Sequence, residues 1–573
     1  MSTETQVIVL KFGSSVLRSE DDLPAVVHEI YRWWRTGHHV VAVVSAFGNT
    51  TDDLTRRAYN VCDQPEDALV AALLATGETA SSALLGLALN RSGLPATVLD
   101  AEQAGLLTVG DTLDADLVSV DAASLLGALQ EGIVVLPGFV GRTQGGQTTL
   151  LGRGGSDLTA LFLAQRLGGD CRLVKDVDGL YTSDPNARTG VAASRFAEVS
   201  YRTARKVGGA VVQLKAIDFA EKHRLRFSVS SVGLDRATEV GPFVDRIAVG
   251  ESLGRPLRVA LLGCGTVGGG VYKRLAALPE LFEVVGVATR NVDRAIDEDV
   301  PVRLITTHLD RLISESPDVV VELLGGIEPA LSLVTKALLH GCHVVTANKA
   351  LLAKHLSELE SIAGAKRSRL LYSAAVGGVV PTLETVRRAR EYGELSVVSG
   401  ILNGTTNFIL DEVANGIPFS TALHHAQQLG YAEANPQFDL DGTDAAQKLI
   451  LLAREAFDVE LAFDSIRRVG IDESTATPGE SGKTIRVVAQ CRRTKDGFEA
   501  SVTPVELSQD HPLADVRGAS NRLLVEDGNG RTWTVSGRGA GRWPTTEAVI
   551  ADLFDLSGAS TATTLEEEEE CVA

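Results

Sequence analysis

Two glycine-rich turns, each set between an apolar run of strand length and one of helical length, constrain this chain more than anything else in it. The first is Leu151-Gly152-Arg153-Gly154-Gly155-Ser156-Asp157, leading into Leu158 to Leu167. The second runs Arg258-Val259-Ala260-Leu261-Leu262-Gly263-Cys264-Gly265-Thr266-Val267-Gly268 and leads into Val271 to Leu278. A glycine turn at such a junction presents backbone N–H groups at a helix N-terminus, where unpaired donors and the helix dipole favour an anion. The second turn follows the G-x-G-x-x-G pattern, whereas the first lacks the GK[ST] ending of a P-loop. Phosphate cradles of two designs imply two nucleotide sites, and so two catalytic units in one polypeptide.

At 573 residues the chain exceeds the ~100–200 residues of one domain. Its 44% hydrophobic and 22% charged residues are an ordinary globular balance. The net charge of −20 argues against nucleic-acid or anionic-membrane partners, so small anionic substrates must be held by local positive charge. Six scattered cysteines, with no CxxC pair and no close His cluster, fit a reducing cytoplasm and not a disulfide frame or zinc site. No stretch approaches the ~18 apolar residues of a membrane span. The start, MSTETQVIVLKFG, lacks the basic-then-apolar order of a secretion signal. Glu566 to Glu570 form a like-charge run, so 561–573 read as an acidic, disordered tail.

Residues 1–250 alternate β-branched runs (7–10, 40–44, 133–136, 172–174) with helical patterns at Leu23–Trp34, Ala68–Asn90 and Ala122–Leu129. Such alternation predicts a mostly parallel sheet covered on both faces. Turn formers cluster from Gly250 to Pro256, and the pattern then restarts. Strands at 257–262, 284–288, 319–322 and 343–346 alternate with helices, predicting a Rossmann-type doubly wound domain over 256–395. From Ser396 longer helices (Ser420–Leu429, Ala445–Phe457) precede strand-like segments at 484–489 and 499–504. These give an α+β substrate and dimerisation domain over 396–536, with 537–560 completing the nucleotide-binding domain. The fold class is α/β.

In the first region polar residues gather at strand ends, the edge where open α/β sheets bind ligands. Lys11-Phe12-Gly13-Ser14-Ser15 follows the first strand and Val44-Ser45-Ala46-Phe47-Gly48 closes the second, while Thr76-Gly77-Glu78-Thr79 sets a carboxylate at an expected helix start. In this order the segments resemble the aspartate kinase branch of the amino-acid kinase family, over about residues 5–235. The family's KFGGTSV reads KFGSSVL here and its VVSAMGGVTD reads VVSAFGNTTD; GETASSALL, GRGGSDLTA and KDVDGLYTSDP continue the match. The resemblance implies an amino-acid-kinase-type fold and phosphorylation of the aspartate side chain by ATP with Mg2+. The acceptor is already an anion, so catalysis rests on positioning and charge neutralisation.

By that resemblance Lys11 bridges the phosphates beside Gly13 and Ser14, and Asp176, Asp178, Tyr181 and Asp184 sit where the family binds the nucleotide. Glu78 holds the substrate ammonium, Arg153 its α-carboxylate, and Ser45 and Asp157 complete the pocket. One departure stands out. Where the family reads GAKVLHPRAV, this chain has Gly208-Gly209-Ala210-Val211-Val212, so Ala210 replaces an ATP-facing lysine, with Lys206 and Lys215 as nearby substitutes. The kinase half is therefore either active or a silent scaffold, and the paired regulatory domains usual after this kinase are absent before Gly254.

In the second region G-x-G-x-x-G follows a strand and opens a helix, the context the motif needs. Gly263, Gly265, Thr266, Val267 and Gly268 are the expected cofactor contacts. The next strand ends in Ala288-Thr289-Arg290-Asn291; Arg290 favours a ribose 2′-phosphate and hence NADP, while Asp293 keeps NAD open. Gly325, Thr346, Asn348 and Lys349 lie at later strand ends. Asp444 and Lys448, four apart, share one helix face, close to Glu433 and Asp439 in sequence. TANK, GILNGTTNFIL, GYAEANP and the late segment around Gly541 resemble homoserine dehydrogenase, from about Arg258 to Leu556.

That resemblance implies hydride transfer between NAD(P)H and aspartate 4-semialdehyde, giving homoserine. Negative charge developing on the aldehyde oxygen requires a cation or proton donor, for which Lys448 and Lys349 stand by family position. Burial is expected to lower the pKa of such a lysine towards neutrality. Asp444 orients Lys448, and Glu433 and Asp439 bind the substrate. Related enzymes place an acid on a sodium ion where this chain has Ser373, leaving the backbone of Val376, Gly378 and Val380 for any monovalent cation. Family members pair through the region after Ser396, so a homodimer or homotetramer is expected. The whole reads as a bifunctional kinase–dehydrogenase or, alternatively, a dehydrogenase carrying a silent kinase-like domain.

Overall fold

The computed structural model describes residues 6–185, 193–209, 211–249, 255–475 and 483–570, with side chains up to 557. It divides into two compact units, Met1–Leu253 and Gly254–Ala573. Ala210 and residues 571–573 lie outside the described residues, while 561–570, expected as a disordered tail, continue the helix Arg542–Glu570.

In the first unit the strand Val7–Phe12 runs parallel between His39–Val44 and Asp170–Lys175, and Ile133–Pro137 continues the sheet beyond His39–Val44. These strands are buried along nearly their whole length, as a sheet covered on both faces demands. The register puts Lys11 beside Leu173 and Phe12 beside Val174, so the lysine-bearing ends of both strands reach one edge of the sheet. Helix Gly155–Leu167 starts at that edge behind Gly154, whose φ of +81° is a left-handed conformation that glycine adopts without strain.

Helix Asp67–Arg91 corrects two expectations. Glu78 lies in its middle, not at a helix start, because the Thr76-Gly77 pair is absorbed into a helix rich in alanine and leucine. At 25 residues it is also long and apolar enough to cross a membrane by length and composition. Here Leu74, Leu85 and Leu89 are buried and Glu78 is turned into a cavity.

The second unit holds a parallel sheet ordered Ile305–Thr306, Phe282–Ala288, Leu257–Leu262, Val319–Glu322, His343–Thr346, Leu370–Leu371. The order reverses between Leu257–Leu262 and Val319–Glu322, the crevice where a dinucleotide binds in this topology. The second sheet of the unit is built on Leu395–Ile401 and the long antiparallel hairpin Lys483–Thr494/Gly497–Ser508. Helix Thr443–Phe457 packs on it, with Leu449, Leu451 and Leu452 fully buried. Helix Arg542–Glu570 returns to the nucleotide-binding sheet, where Phe554 meets Phe282 edge-on at 5.2 Å and Glu547 pairs with Arg274.

Candidate active sites

The first unit contains a cavity of about 790 Å³ lined by Lys11, Ser45, Glu78, Arg153, Asp157 and Lys175, among others. Gly13 sits so close to Lys11 that a Cβ there would lie 2.7 Å from Nζ. Asp157, on the first turn of helix Gly155–Leu167, accepts an ion pair from Lys11 Nζ at 2.8 Å, and Lys175 Nζ donates to both its oxygens at 3.0 Å. Burial alone would raise the Asp157 pKa; the two ammonium groups reverse this and hold it at about 2. For Lys175, burial and the neighbouring Lys11 outweigh Asp157 and bring it down to about 8.

Glu78 is the other buried carboxyl. Burial pushes it up to about 8, against weaker opposition from the Ala46 amide and Lys11. Its Oε2 is buried with no hydrogen-bond partner among the described residues. Ser45 Oγ donates to Ser156 Oγ at 3.0 Å, tying the second strand's end to the glycine turn. Arg153 is exposed at the rim.

Of the expected nucleotide residues, Gly13, Ser14 and Asp176 line the cavity, while Asp178, Tyr181 and Asp184 do not. The Asp178 carboxylate instead accepts from the Tyr181 hydroxyl at 2.6 Å and pairs with Arg236 at 2.7 Å. Lys206 and Lys215 also lie outside the lining. Lys215 is committed to Asp114 (2.7 Å) and the carbonyls of Ala115 and Leu151 (3.1 and 3.0 Å), holding the cradle from behind. Lys175 escaped sequence reasoning because a lysine closing a strand carries no sign of which way it faces.

In the second unit the three motif glycines have distinct physical roles. Gly263 has φ +108°, and a Cβ would lie 2.7 Å from the Leu323 carbonyl oxygen. A Cβ on Gly268 would lie 2.1 Å from the Gly263 oxygen, so that glycine lets helix Thr266–Ala276 close on the strand. Gly265 has open space where its Cβ would be, which fits a pyrophosphate approaching its backbone and the helix N-terminus begun by Thr266 and Val267. Arg290 is exposed after Phe282–Ala288, and Arg294 donates to the Thr266 hydroxyl at 2.7 Å, adding a second arginine beside the turn. Glu322, fully buried, accepts from the amides of Leu324 and Gly325 and from the Thr346 hydroxyl (2.7, 3.3 and 2.6 Å). Asn348 donates to the Gly326 carbonyl at 2.6 Å and caps the helix that Lys349 begins. Gly325, Thr346 and Asn348 thereby form one braced rim.

Beyond that rim lies an ionic cluster. Lys349 pairs with Asp444 Oδ1 at 3.1 Å and Lys448 with Asp444 Oδ2 at 2.9 Å; Lys448 also donates to the Leu402 carbonyl at 2.7 Å. Asn403, not singled out from sequence, donates to Asp439 (2.7 Å) and Asp444 (2.9 Å) and caps helix Gly404–Ala414. Two lysines hold the Asp444 carboxyl well below the usual range despite burial, whereas burial and Asp444 push Asp439 up. The expected lowering of lysine pKa does not occur at Lys349. Asp444, then Asp439 and Glu433, raise it against burial, because carboxylates surround an ammonium that is only partly buried. Glu433 is exposed and reaches Lys349 through its field.

Around the expected cation position, Ser373 donates to Glu384 at 2.8 Å, and the Val380 carbonyl accepts from the Thr382 amide at 2.7 Å. Gly378 has φ +53° against the Gly539 carbonyl, and Gly541 has φ +120° just before the returning helix. Among the described residues no cluster of three or more His, Cys, Asp or Glu could hold a metal.

Comparison with known proteins agrees with this division. Residues 6–229 match the amino acid kinase family, 263–373 the NAD binding domain of homoserine dehydrogenase, and 381–554 homoserine dehydrogenase. The chain is 37% identical over 321 residues to a homoserine dehydrogenase of Pseudomonas aeruginosa, covering 54% of this chain and 74% of that one. With a Synechocystis homoserine dehydrogenase it shares 35% over 323 residues, covering 53% and 74%. The crystal structure of a Thiobacillus denitrificans homoserine dehydrogenase superposes with a TM-score of 0.50 at 37% identity, covering 54% of this chain and 74% of that one. A dinucleotide crevice with its three glycines in place, leading to a two-lysine cluster on Asp444, fits these matches: the chain belongs to the homoserine dehydrogenase family, with an amino acid kinase family domain fused ahead of it.

Proposed function

We propose that the chain catalyses two reactions, NADPH-dependent reduction of aspartate 4-semialdehyde to homoserine and ATP-dependent phosphorylation of aspartate to 4-phosphoaspartate. The observation that carries the first is the Lys349–Asp444–Lys448 cluster beside the cofactor rim. A bound reduced nicotinamide supplies the hydride. The chain's own work is to stabilise the alkoxide that forms and to deliver its proton. Lys448 is held by Asp444 and the Leu402 carbonyl, and its remaining N–H faces the substrate oxygen. Lys349 adds positive charge, while Asp439 and Glu433 receive the substrate ammonium. Gly263, Gly265 and Gly268 seat the pyrophosphate, and Arg290 with Arg294 favours the 2′-phosphate of NADP over NAD.

For the kinase, Lys11 and the amides of the glycine turn receive the phosphates of Mg·ATP, with Asp176 on the nucleotide side. Glu78 takes the aspartate ammonium and Arg153 its α-carboxylate. The chain acts in the cytoplasm as a homodimer or homotetramer paired through the region after Ser396. Purified full-length protein should reduce NADP with homoserine faster than NAD, and should form aspartyl hydroxamate from ATP, aspartate and hydroxylamine. Dehydrogenase turnover without hydroxamate would leave the first domain a silent scaffold.

A further inference from the structure

The first domain lacks the lysine expected at Ala210, and neither Lys206 nor Lys215 lines the cavity that should hold the phosphates. Among the described residues the lining contains three cations: Lys11, Arg153 and Lys175. Arg153 is exposed at the rim. Lys11 and Lys175 end adjacent parallel strands and are 5% and 8% exposed. Both rest on the single carboxylate of Asp157; Glu78, the other buried carboxyl of the cavity, feels the charge of Lys11 but is pushed up by burial. At the same sheet edge begins the 13-residue helix Gly155–Leu167, adding the positive end of its dipole. Two buried ammonium groups sharing one carboxylate are costly unless an anion completes the set.

We propose that Lys175 is the second phosphate cation of the kinase site, replacing from a strand end the lysine missing at Ala210, with Asp157 serving as the brace that holds the Lys11–Lys175 pair. The assignment rests on the kinase reading above. In the step itself an acceptor carboxylate oxygen forms a bond to the γ-phosphorus. The bond from that phosphorus to the β–γ bridging oxygen breaks, its electron pair leaves on ADP, and no proton moves. Charge on the phosphoryl oxygens is what the pair neutralises. Asp157 therefore belongs to the phosphate side of the site, not to the substrate pocket where sequence resemblance put it.

The test uses the full-length chain with Lys175→Met and Lys175→Arg, Mg·ADP and the non-hydrolysable Mg·AMP-PNP as probes, and hydroxamate formation as turnover. Lys175→Met should lower kcat at least ~100-fold and abolish the extra affinity for AMP-PNP over ADP, with ADP affinity within threefold of wild type. Lys175→Arg should restore most of both. Lys175→Met turning over within threefold of wild type overturns the proposal. So does equal loss of ADP binding in both variants, which would mark Lys175 as purely structural. If wild type forms no aspartyl hydroxamate yet binds AMP-PNP in a Lys175-dependent way, the aspartate reading fails and the lysine pair stands. If wild type binds neither nucleotide, both fail.

Discussion

At the scale of single residues, each half holds one carboxylate low between two lysines and has a second one pushed up by burial. Asp444 is an anion fixed between cations, so Lys448→Ala should leave that charge with Lys349 and Asn403 and remove the group proposed to face the substrate oxygen. Homoserine-dependent NADP reduction should fall by ~10²–10⁴-fold, and the melting temperature should fall as well, because one partner of a buried ion pair is removed. Initial rates and melting curves on one preparation check both. Glu78 is instead a neutral acid near pH 7, because burial holds its pKa at about 8. An arriving ammonium needs it ionised, so binding should release a proton below that pH, and the KM for aspartate should fall as pH rises from 6.5 to 8.5. In Glu78→Gln that slope should vanish, and a slope unchanged in the variant would assign it to another group. Asp157 has its folded pKa depressed to about 2, below the ordinary value of 3.8. Its contribution to stability is therefore complete above pH ~4 and is lost as pH falls towards 2, a span worth roughly 2 kcal/mol. Asp157→Asn should flatten acid unfolding of the first unit in that window.

At the scale of elements, the glycine turn of the second unit separates fold from function. Gly268→Ala drives a Cβ to 2.1 Å from a backbone oxygen and should destabilise the unit by ~1–3 kcal/mol. Gly265→Ala meets nothing within 4 Å, so it should keep the melting temperature while weakening NADPH binding, measurable by fluorescence titration. Strand positions and both cradles were legible in the sequence because periodicity and glycine placement are local signals. What could not be read were juxtapositions across the sheet: Lys175 beside Lys11, Asn403 between Asp439 and Asp444, Arg294 against Thr266. Each is fixed by strand pairing or helix docking between segments far apart in sequence. Glu78 was misplaced for a related reason, since a Thr-Gly pair resembles a helix start until the surrounding helix absorbs it.

At the scale of the whole molecule, the two proposed reactions are not consecutive. An acyl phosphate must be reduced to the aldehyde between them, and neither unit's proposed chemistry does this. ATP, aspartate and NADPH mixed with the full-length chain should therefore oxidise no NADPH until an acyl-phosphate reductase is added. The return of helix Arg542–Glu570 onto the nucleotide-binding sheet also sets the two units apart. The first unit, Met1–Leu253, is compact by itself, but the dinucleotide domain is closed only by a helix that follows both sheets of its unit in the chain. A nonsense mutation or proteolytic nick just before Gly541 would thus silence the dehydrogenase and spare the kinase, turning one gene product into a single-function enzyme.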